Sequence, residues 1–290
     1  MHEILIISGK GGTGKTSLTA AFAHLARNKV LCDLDVDAPD LHLLLDPQHE
    51  KEVEFWAGNV AEIQEEKCQQ CGLCQEMCRY GAVIHHYNGQ YSIDALRCEG
   101  CRVCVEFCPD EAIDFPQTHC GQWFISTTRL GPMVHARLFP GEENSGRLVA
   151  LLKQEAKKLA EEQGLDLLLC DGAPGIGCPV ISSLSGTDLA VLVTEPTPSG
   201  RHDLERVASL CKHFKVPTAV IINKYDLNLE ETENIELLCR ENDYAVVGKL
   251  AHDPVITEAM VQRLAVTELG TTNLGTEIAA TWQEILRHLA

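Results

Sequence analysis

Eight of the 14 cysteines fall in one stretch and repeat a single spacing: Cys68-x2-Cys71-x2-Cys74-x3-Cys78, then Cys98-x2-Cys101-x2-Cys104-x3-Cys108-Pro109. The second run is the first displaced by thirty residues at all four positions, so the segment is an internal duplication. Three thiolates at this spacing let a short loop wrap three corners of an iron–sulfur cubane, while the remote fourth cysteine reaches the other cluster. The expected assignment is therefore interleaved. Cys68, Cys71, Cys74 and Cys108 hold one [4Fe–4S] cluster, and Cys98, Cys101, Cys104 and Cys78 hold the second. Zinc is the competing metal, but its tetrahedral sites favour two well-separated C-x2-C pairs and give a third cysteine two residues on no role.

A second constellation suits phosphate. Gly9-Lys10-Gly11-Gly12-Thr13-Gly14-Lys15-Thr16 matches G-x-x-x-x-G-K-[ST] and stands between a β-branched run and an apolar helix face. Its glycines let backbone N–H groups turn inward around anionic oxygens at the positive end of the next helix. Lys15 is expected to hold the β- and γ-phosphates and the Thr16 hydroxyl to ligate Mg²⁺, with Gly11 to Ser17 forming the nucleotide cradle. Downstream, Asp33-Leu34-Asp35-Val36-Asp37-Ala38-Pro39-Asp40 concentrates carboxylates that repel one another unless a cation lies nearby. Asp33 supports this loop from the strand end; Asp37 and Asp40 are read as solvated or as caps of the next helix. The apolar run Leu165 to Asp171 ends in an acid placed to hold Mg²⁺ through water, followed by the Gly-rich Gly172-Ala173-Pro174-Gly175-Ile176-Gly177. Ile221-Ile222-Asn223-Lys224-Tyr225-Asp226 ends another apolar strand, where a nucleotide base lies in open α/β sheets.

The loop carries a second lysine, Lys10, and in this it resembles the deviant Walker A motif of the MinD, Mrp and nitrogenase-reductase ATPases. The resemblance covers residues 1–60 and 118–290. In that family the extra lysine reaches across a homodimer to the partner's nucleotide, so Lys10 implies a dimer with ATP at its interface. Asp35 matches the switch I position that orients the attacking water, and Asp171 with its glycines resembles the Mg²⁺-binding strand end and switch II. Asn223 matches an asparagine that contacts adenine in MinD relatives. An N-K-x-D run in small GTPases selects guanine through the aspartate, here Asp226; the deviant Walker A favours ATP. Gly248 to Pro254 resembles a late family loop beside the base, with Ala251 where the family has proline. The cysteine segment resembles two-cluster ferredoxins, except that Cys78-Arg79 replaces the Cys-Pro of the bacterial proteins. An arginine beside a cluster raises its potential, so the two clusters need not be equivalent.

Elements of two kinds must position these groups. Ile4 to Ile7, Val30 to Leu34, Leu165 to Cys170, Leu189 to Val193 and Thr218 to Ile222 read as continuous apolar strands, which point to a parallel sheet covered on both faces. Leu18 to Ala26, Ser145 to Gln163 ending at Gly164, Asp203 to Phe214 and Thr276 to Leu289 read as helices between and after them. Lys67 to Pro116 lacks helical periodicity and looks inserted. The expected fold class is thus an α/β P-loop NTPase with a mostly parallel sheet and helices on both faces. A small α+β ferredoxin-like domain is inserted in it: ATPase over 1–60, the two-cluster insert over 61–117, and ATPase again over 118–290. Residues 118 to 147, with Arg129, His135, Arg137 and Asn144-Ser145-Gly146, are either a contact between the two parts or a structured connector. Cys32, Cys170, Cys211 and Cys239 read as core fillers and Cys120 and Cys178 as buried or incidental thiols. Cys178 nonetheless lies near the position of nitrogenase reductase's intersubunit cluster cysteine.

Composition limits the function classes. With 24 Lys plus Arg against 42 Asp plus Glu the formal charge is −18, which opposes the phosphate attraction that nucleic-acid binding needs. No run approaches the roughly 18–20 apolar residues of a bilayer span, and the start of the chain has no basic leader, so a cytoplasmic protein is expected. The closing helix has only Arg287 and His288 as basic residues and is expected in the core, without stable membrane association. The reading that joins the motifs is an ATPase whose dimeric switch gates electron transfer through two [4Fe–4S] clusters to a redox or metallocluster partner. The alternatives are a carrier for Fe–S or other metal clusters, with Cys178 as a labile site, and a positioning ATPase that uses its clusters as a redox sensor.

Overall fold

The computed structural model describes residues 1–141 and 145–289. The chain opens with β1 (His2–Ser8), α1 (Lys15–Leu25), β2 (Lys29–Asp33), α2 (Leu41–Leu45) and β3 (Gln48–Asn59). Short elements follow: β4 (Glu62–Ile63), α3 (Leu73–Met77), β5 (Val83–His85), β6 (Tyr91–Ile93), α4 (Val103–Glu106) and β7 (Ile113–Asp114). Then come β8 (Gln117–Thr128), β9 (Gly131–Leu138), α5 (Ser145–Gln163), β10 (Leu167–Pro174), α6 (Cys178–Leu184), β11 (Leu189–Thr194) and α7 (Pro198–His213). The last elements are β12 (Thr218–Asn223), α8 (Leu229–Glu241), β13 (Ala245–Leu250), α9 (Val255–Val261) and α10 (Asn273–Leu289). Two compact units result. One comprises Met1–Val53, Gln122–Leu138 and the chain from Ser145 onward, and the other Glu54–Gly121 with the segment that starts at Phe139.

The first unit is built on a sheet ordered β13-β12-β11-β1-β10-β2-β9-β8-β3. The pairs β1–β10, β1–β11, β10–β2, β11–β12, β12–β13 and β2–β9 run parallel. This is a mostly parallel α/β sheet, and its strand order reverses beside β1, the place where such sheets open a crevice at their carboxyl ends. β11 is buried at all six positions and β10 at seven of eight, so both sheet faces are covered. Strand alternation divides these residues between two layers. Ile4, Ile6, Leu167, Leu169, Val191 and Val193 belong to one core with α1 and α10 residues. Their neighbours Leu5, Ile7, Leu168, Cys170 and Leu192 project the other way and are equally inaccessible.

Local sequence explains the helix limits. Gly164 takes φ 64 just after Gln163 and stops α5, a left-handed position that glycine occupies without a Cβ penalty. In α10 the buried Leu274, Ile278, Thr281, Trp282 and Ile285 recur at helical spacing, and Trp282 stacks on Phe22 of α1 with ring centroids 5.3 Å apart. Each such large apolar side chain contributes about 1.5–3 kcal/mol on burial, which seats the closing helix in the core as its composition suggested. Among the described residues no helix is long and apolar enough to cross a membrane. At the amino end of β1, Glu3 is buried between Lys153 at 2.5 Å and Lys157 at 2.9 Å, pinning α5 to the central strand.

The segment read as a contact or connector is largely strand β8, strand β9 and the start of α5. Arg129, in the turn between β8 and β9, donates to the carbonyls of Leu44 and Arg263 and to both oxygens of Glu268. His135 is buried and bonded to Ser126, stacking near His42 and His49; burial first, then those two rings, push its pKa down to about 3. Arg137 is exposed on β9, Ser145 and Gly146 open α5, and Asn144 lies outside the described residues.

In the second unit the duplication of sequence is also a duplication of backbone. Left-handed φ values pair at the thirty-residue offset: Gln70 with Gly100, Gly72 with Arg102, and Gly81 with Glu111. Ala82 N–H donates to Cys78 Sγ at 3.3 Å, and Ala112 N–H donates to Cys108 Sγ at 3.3 Å. Helices α3 and α4 follow the two left-handed residues Gly72 and Arg102. Antiparallel pairs β4–β7 and β5–β6 join across the repeat.

Candidate functional site

The phosphate loop leaves β1 at the sheet's carboxyl end. Ser8 Oγ donates to the Lys10 carbonyl at 2.8 Å and fixes the loop's first turn. A Cβ on Gly9 would lie 2.5 Å from Asp203 Cβ, so glycine is required where α7 meets the loop. Gly14 takes φ 89 at the N-cap of α1, with the Asn223 amide 2.5 Å from where a Cβ would stand. Both the dihedral and the close approach exclude a side chain there.

Lys15 is almost fully buried and surrounded by acids. Its Nζ lies 2.8 Å from Asp171 Oδ1, 3.6 Å from Asp35 Oδ2 and 3.4 Å from Thr16 Oγ1. Burial works to lower its pKa, but Asp171, Asp35 and Asp33 together hold it above the ordinary lysine value. The acids feel the converse. Burial, then the Asp171 charge, drive Asp33 well above the usual carboxylate range. Burial pushes Asp35 up to about 6, with Lys15 opposing and Asp171 adding to the rise. One ammonium thus serves three carboxyl groups, a set still short of positive charge.

The same place has buried oxygens without hydrogen-bond partners among the described residues: Thr13 Oγ1, Asp33 Oδ2 and Asp171 Oδ2. Buried polar atoms are ordinarily satisfied, so these mark surfaces suited to a ligand and a hard cation. Asp171, with Thr13 and Asp33 beside it, therefore fits a Mg²⁺-bearing phosphate group, and Thr16 and Asp35 border the same place through Lys15. Thr19, one helical turn after Lys15, donates from Oγ1 toward Asp171 Oδ1 at 2.9 Å. Sequence reading gave Thr19 no role, although its i+4 relation to Lys15 places both on one helix face.

The base-side residues are tied to the loop. Asn223 Nδ2 donates to the Thr13 carbonyl at 2.7 Å, and Lys224 Nζ donates to the Gly12 carbonyl at 3.2 Å. Asp226 Oδ1 accepts from the backbone N–H of His252 at 2.6 Å, joining the N-K-x-D turn to the loop after β13. Ser17 Oγ lies 3.6 Å from the sulfur of Met260 on α9, and Gly11 has open space around it. Lys10 points away from the loop interior to Glu195 Oε1 at 2.5 Å, with Thr197 and Ser199 hydroxyls at 3.2 Å. Glu195 was not anticipated from the sequence. Asp33 Oδ1 accepts from Asp35 N–H at 3.1 Å, which steadies the acidic loop from the strand end. Asp37 is exposed, and Asp40 occupies the N-cap of α2 without a side-chain cap bond.

In the second unit the cysteines line two cavities. One has Cys68, Cys71, Cys74 and Cys108 in its wall; the other has Cys78, Cys98, Cys101 and Cys104. Each cavity draws three thiols from one repeat and the fourth from the other. Burial, then neighbouring thiols, push Cys104 up to about 11, so this crowding favours neutral sulfur unless positive charge is supplied. At Cys78 burial acts the same way, but the amides of Ala82, Tyr80, Val83 and Gly81 outweigh it and bring the thiol below its ordinary value. Amide donors aimed at sulfur and four thiols around a cavity fit a cluster with several metal corners. Among the described residues no three His, Cys, Asp or Glu side chains converge as a single-ion site. Of the other thiols, Cys32, Cys170, Cys211, Cys239 and Cys120 are buried and Cys178 is exposed at the start of α6.

Comparison with known proteins agrees with the first unit's architecture. The CobQ/CobB/MinD/ParA nucleotide binding domain model matches residues 4–266. An uncharacterized protein of Methanocaldococcus jannaschii is 35% identical over 230 residues, covering 78% of this chain and 79% of the relative. The cytosolic Fe-S cluster assembly factor Nubp1 homolog of Drosophila willistoni is 22% identical over 284 residues, covering 89% of this chain and 73% of its own. Among solved structures, the septum site-determining protein MinD of Pyrococcus horikoshii, complexed with Mg-ADP, superposes with a TM-score of 0.56. It is 17% identical, over 98% of this chain and 95% of that one, and supports the fold.

Proposed function

The chain belongs to the CobQ/CobB/MinD/ParA nucleotide-binding family, and from that premise we propose that it is a dimeric ATPase switch coupled to two [4Fe–4S] clusters for ATP-gated electron transfer. The observation that carries this reading is the pair of four-cysteine cavities, each completed by a thiol from the other repeat, in a chain that also holds the Lys15, Asp35 and Asp171 site. Four thiolates saturate a cubane, and saturated clusters carry single electrons rather than bind substrates. The two-cluster insert proposed over residues 61–117 would hold one cluster on Cys68, Cys71, Cys74 and Cys108 and the other on Cys78, Cys98, Cys101 and Cys104.

In the nucleotide half, Lys15 and the N–H groups of Gly11 to Ser17 bind the phosphates. Thr16 and Asp171 would hold Mg²⁺, which would supply positive charge to the phosphates and to the carboxyl groups around Lys15. Asp35, facing Lys15 from the acidic loop, orients the attacking water. Asn223 and Asp226 steady the rim on the base side. Lys10 completes the partner's site in a homodimer with ATP at the interface.

The experiment is anaerobic purification with iron and sulfide counts, then EPR of the reduced protein with and without MgATP. About eight irons per chain and a MgATP-dependent change in cluster potential or in reduction of a redox partner are expected. Clusters whose potentials and partner reactions ignore MgATP would remove the gating. The likeness to an Fe–S cluster assembly factor favours a second reading, a cluster carrier that uses the exposed Cys178 as a labile site. Under that reading Cys178→Ala abolishes cluster transfer while both insert clusters remain; under electron transfer it does not.

A further inference from the structure

Glu195 follows β11 and is surrounded by donors. Lys10 Nζ sits 2.5 Å from Oε1, and Lys224 Nζ sits 3.3 Å from Oε2, so each carboxylate oxygen has its own ammonium. Lys10 also reaches Thr197 Oγ1 and Ser199 Oγ, both at 3.2 Å. An ammonium has three protons, and Lys10 has three acceptors within its own chain. Nothing is left to offer a phosphate. Lys224 is likewise divided between Glu195 and the Gly12 carbonyl of the phosphate loop. The backbone that carries Glu195 is fixed: its carbonyl accepts from Thr197 N–H at 2.7 Å, and a Cβ on Gly200 would lie 2.4 Å from that carbonyl.

We propose that Glu195 is a positioning residue of the nucleotide site, an internal anion that holds Lys10 and Lys224 at the rim of the phosphate loop and that nucleotide phosphates displace. Lys10 and Lys224 share one carboxylate, so a phosphate that takes either lysine competes with Glu195 and leaves that carboxylate to the other lysine alone. Thr197, the N-cap of α7, accepts from Gly200 N–H as well as from Lys10, so release of Lys10 is felt at the first turn of that helix. The lowered pKa of Glu195 agrees: burial opposes it, but its bonds to Lys10 and Lys224 prevail. This inference rests on the ATP reading of the loop and is independent of electron transfer.

The test uses the full-length protein with its clusters, as wild type, Glu195→Gln, Lys10→Ala and the double variant. Calorimetric affinity for MgATP is expected to rise roughly tenfold in Glu195→Gln, and the rise should shrink in the Lys10→Ala background. Unchanged or weaker binding in Glu195→Gln overturns the proposal, as does an equal gain with and without Lys10. Glu195→Asp keeps the charge but withdraws it by one methylene, and is also expected to bind more tightly; wild-type affinity in that variant counts against a contact that depends on reach. A second readout needs no nucleotide. Acylation of Lys10, followed by peptide mass spectrometry, should be slow in wild type and faster in Glu195→Gln. Equal rates overturn the proposal even if the protein binds ATP, and a wild-type protein that binds no ATP but shows the rate difference overturns the ATP reading alone.

Discussion

Lys15 is expected to matter for folding as much as for phosphate. Lys15→Met keeps an unbranched chain and helix propensity while deleting the charge that stands 2.8 Å from Asp171 and 3.6 Å from Asp35. Breaking one partner out of a buried ion pair costs about 3–5 kcal/mol, because the remaining charge is stranded away from water. Against a total stability of about 5–15 kcal/mol this is a large fraction.

The penalty must depend on pH, with a definite sign. In the variant, Asp35 loses the cation that opposes its rise, so its folded pKa, already lifted by burial, moves further above the unfolded one. A carboxyl group with a raised folded pKa contributes stability below its unfolded pKa and loses it as pH rises through the folded one. Asp35 already stands at about 6 with Lys15 present. At about pH 5 it is mostly protonated and the deficit should shrink to about 1–2 kcal/mol, with the full loss at about pH 8. Anaerobic urea titration followed by tryptophan fluorescence, to which Trp282 buried against Phe22 contributes alongside Trp56 and Trp123, reads this. A nucleotide-free variant as stable as wild type at high pH refutes the reasoning, and so does a deficit equal at both pH values. The double variant Lys15→Met with Asp171→Asn should recover most of the loss, since no uncompensated charge is left at that pair.

Two further outcomes follow from the same geometry. Cys108→Ser should strip the cluster bound by Cys68, Cys71 and Cys74 and spare the one on Cys98, Cys101 and Cys104, with Cys78→Ser doing the reverse; EPR with iron counts reads both, and damage confined to the variant's own repeat would refute the interleaved cavities. In nucleotide-free wild type, the stability contributed by Asp35 is fully present below pH 3.8 and lost as pH rises through about 6, so Asp35→Asn should flatten urea midpoints across that window.

The fold of the nucleotide half was legible because its strands are buried on both faces. Continuous runs such as Leu189 to Val193 have no amphipathic alternation to misread, and β11 and β12 start where those runs start. The edge of the sheet was not legible. β8 mixes buried residues such as Trp123 and Phe124 with half-buried and exposed polar ones in no clean alternation, so residues 118–147 read as either a contact or a structured connector. In the cysteine unit the repeat was readable to the residue, yet its left-handed turns at Gln70, Arg102 and Glu111 carry no glycine to announce them.

The candidate site divides along a similar line, and the division has a physical cause. Residues that face a ligand are spaced by a local loop, so Lys10 to Ser17 or Cys68 to Cys74 can be found in a short window of sequence. Residues that hold those groups come from distant strands: Thr19 and Lys15 meet Asp171 more than 150 positions away, and Lys10 meets Glu195 at a separation of 185. A motif describes the bound state, in which phosphate or metal satisfies the charges. It is silent on the free state, in which the protein must satisfy them itself. Where a cation of the loop is paired internally, as Lys10 is, ligand binding has to exchange one partner for another. That exchange gives a nucleotide site a second conformation to select, because only a contact made in one state and broken in the other can transmit binding energy beyond the site.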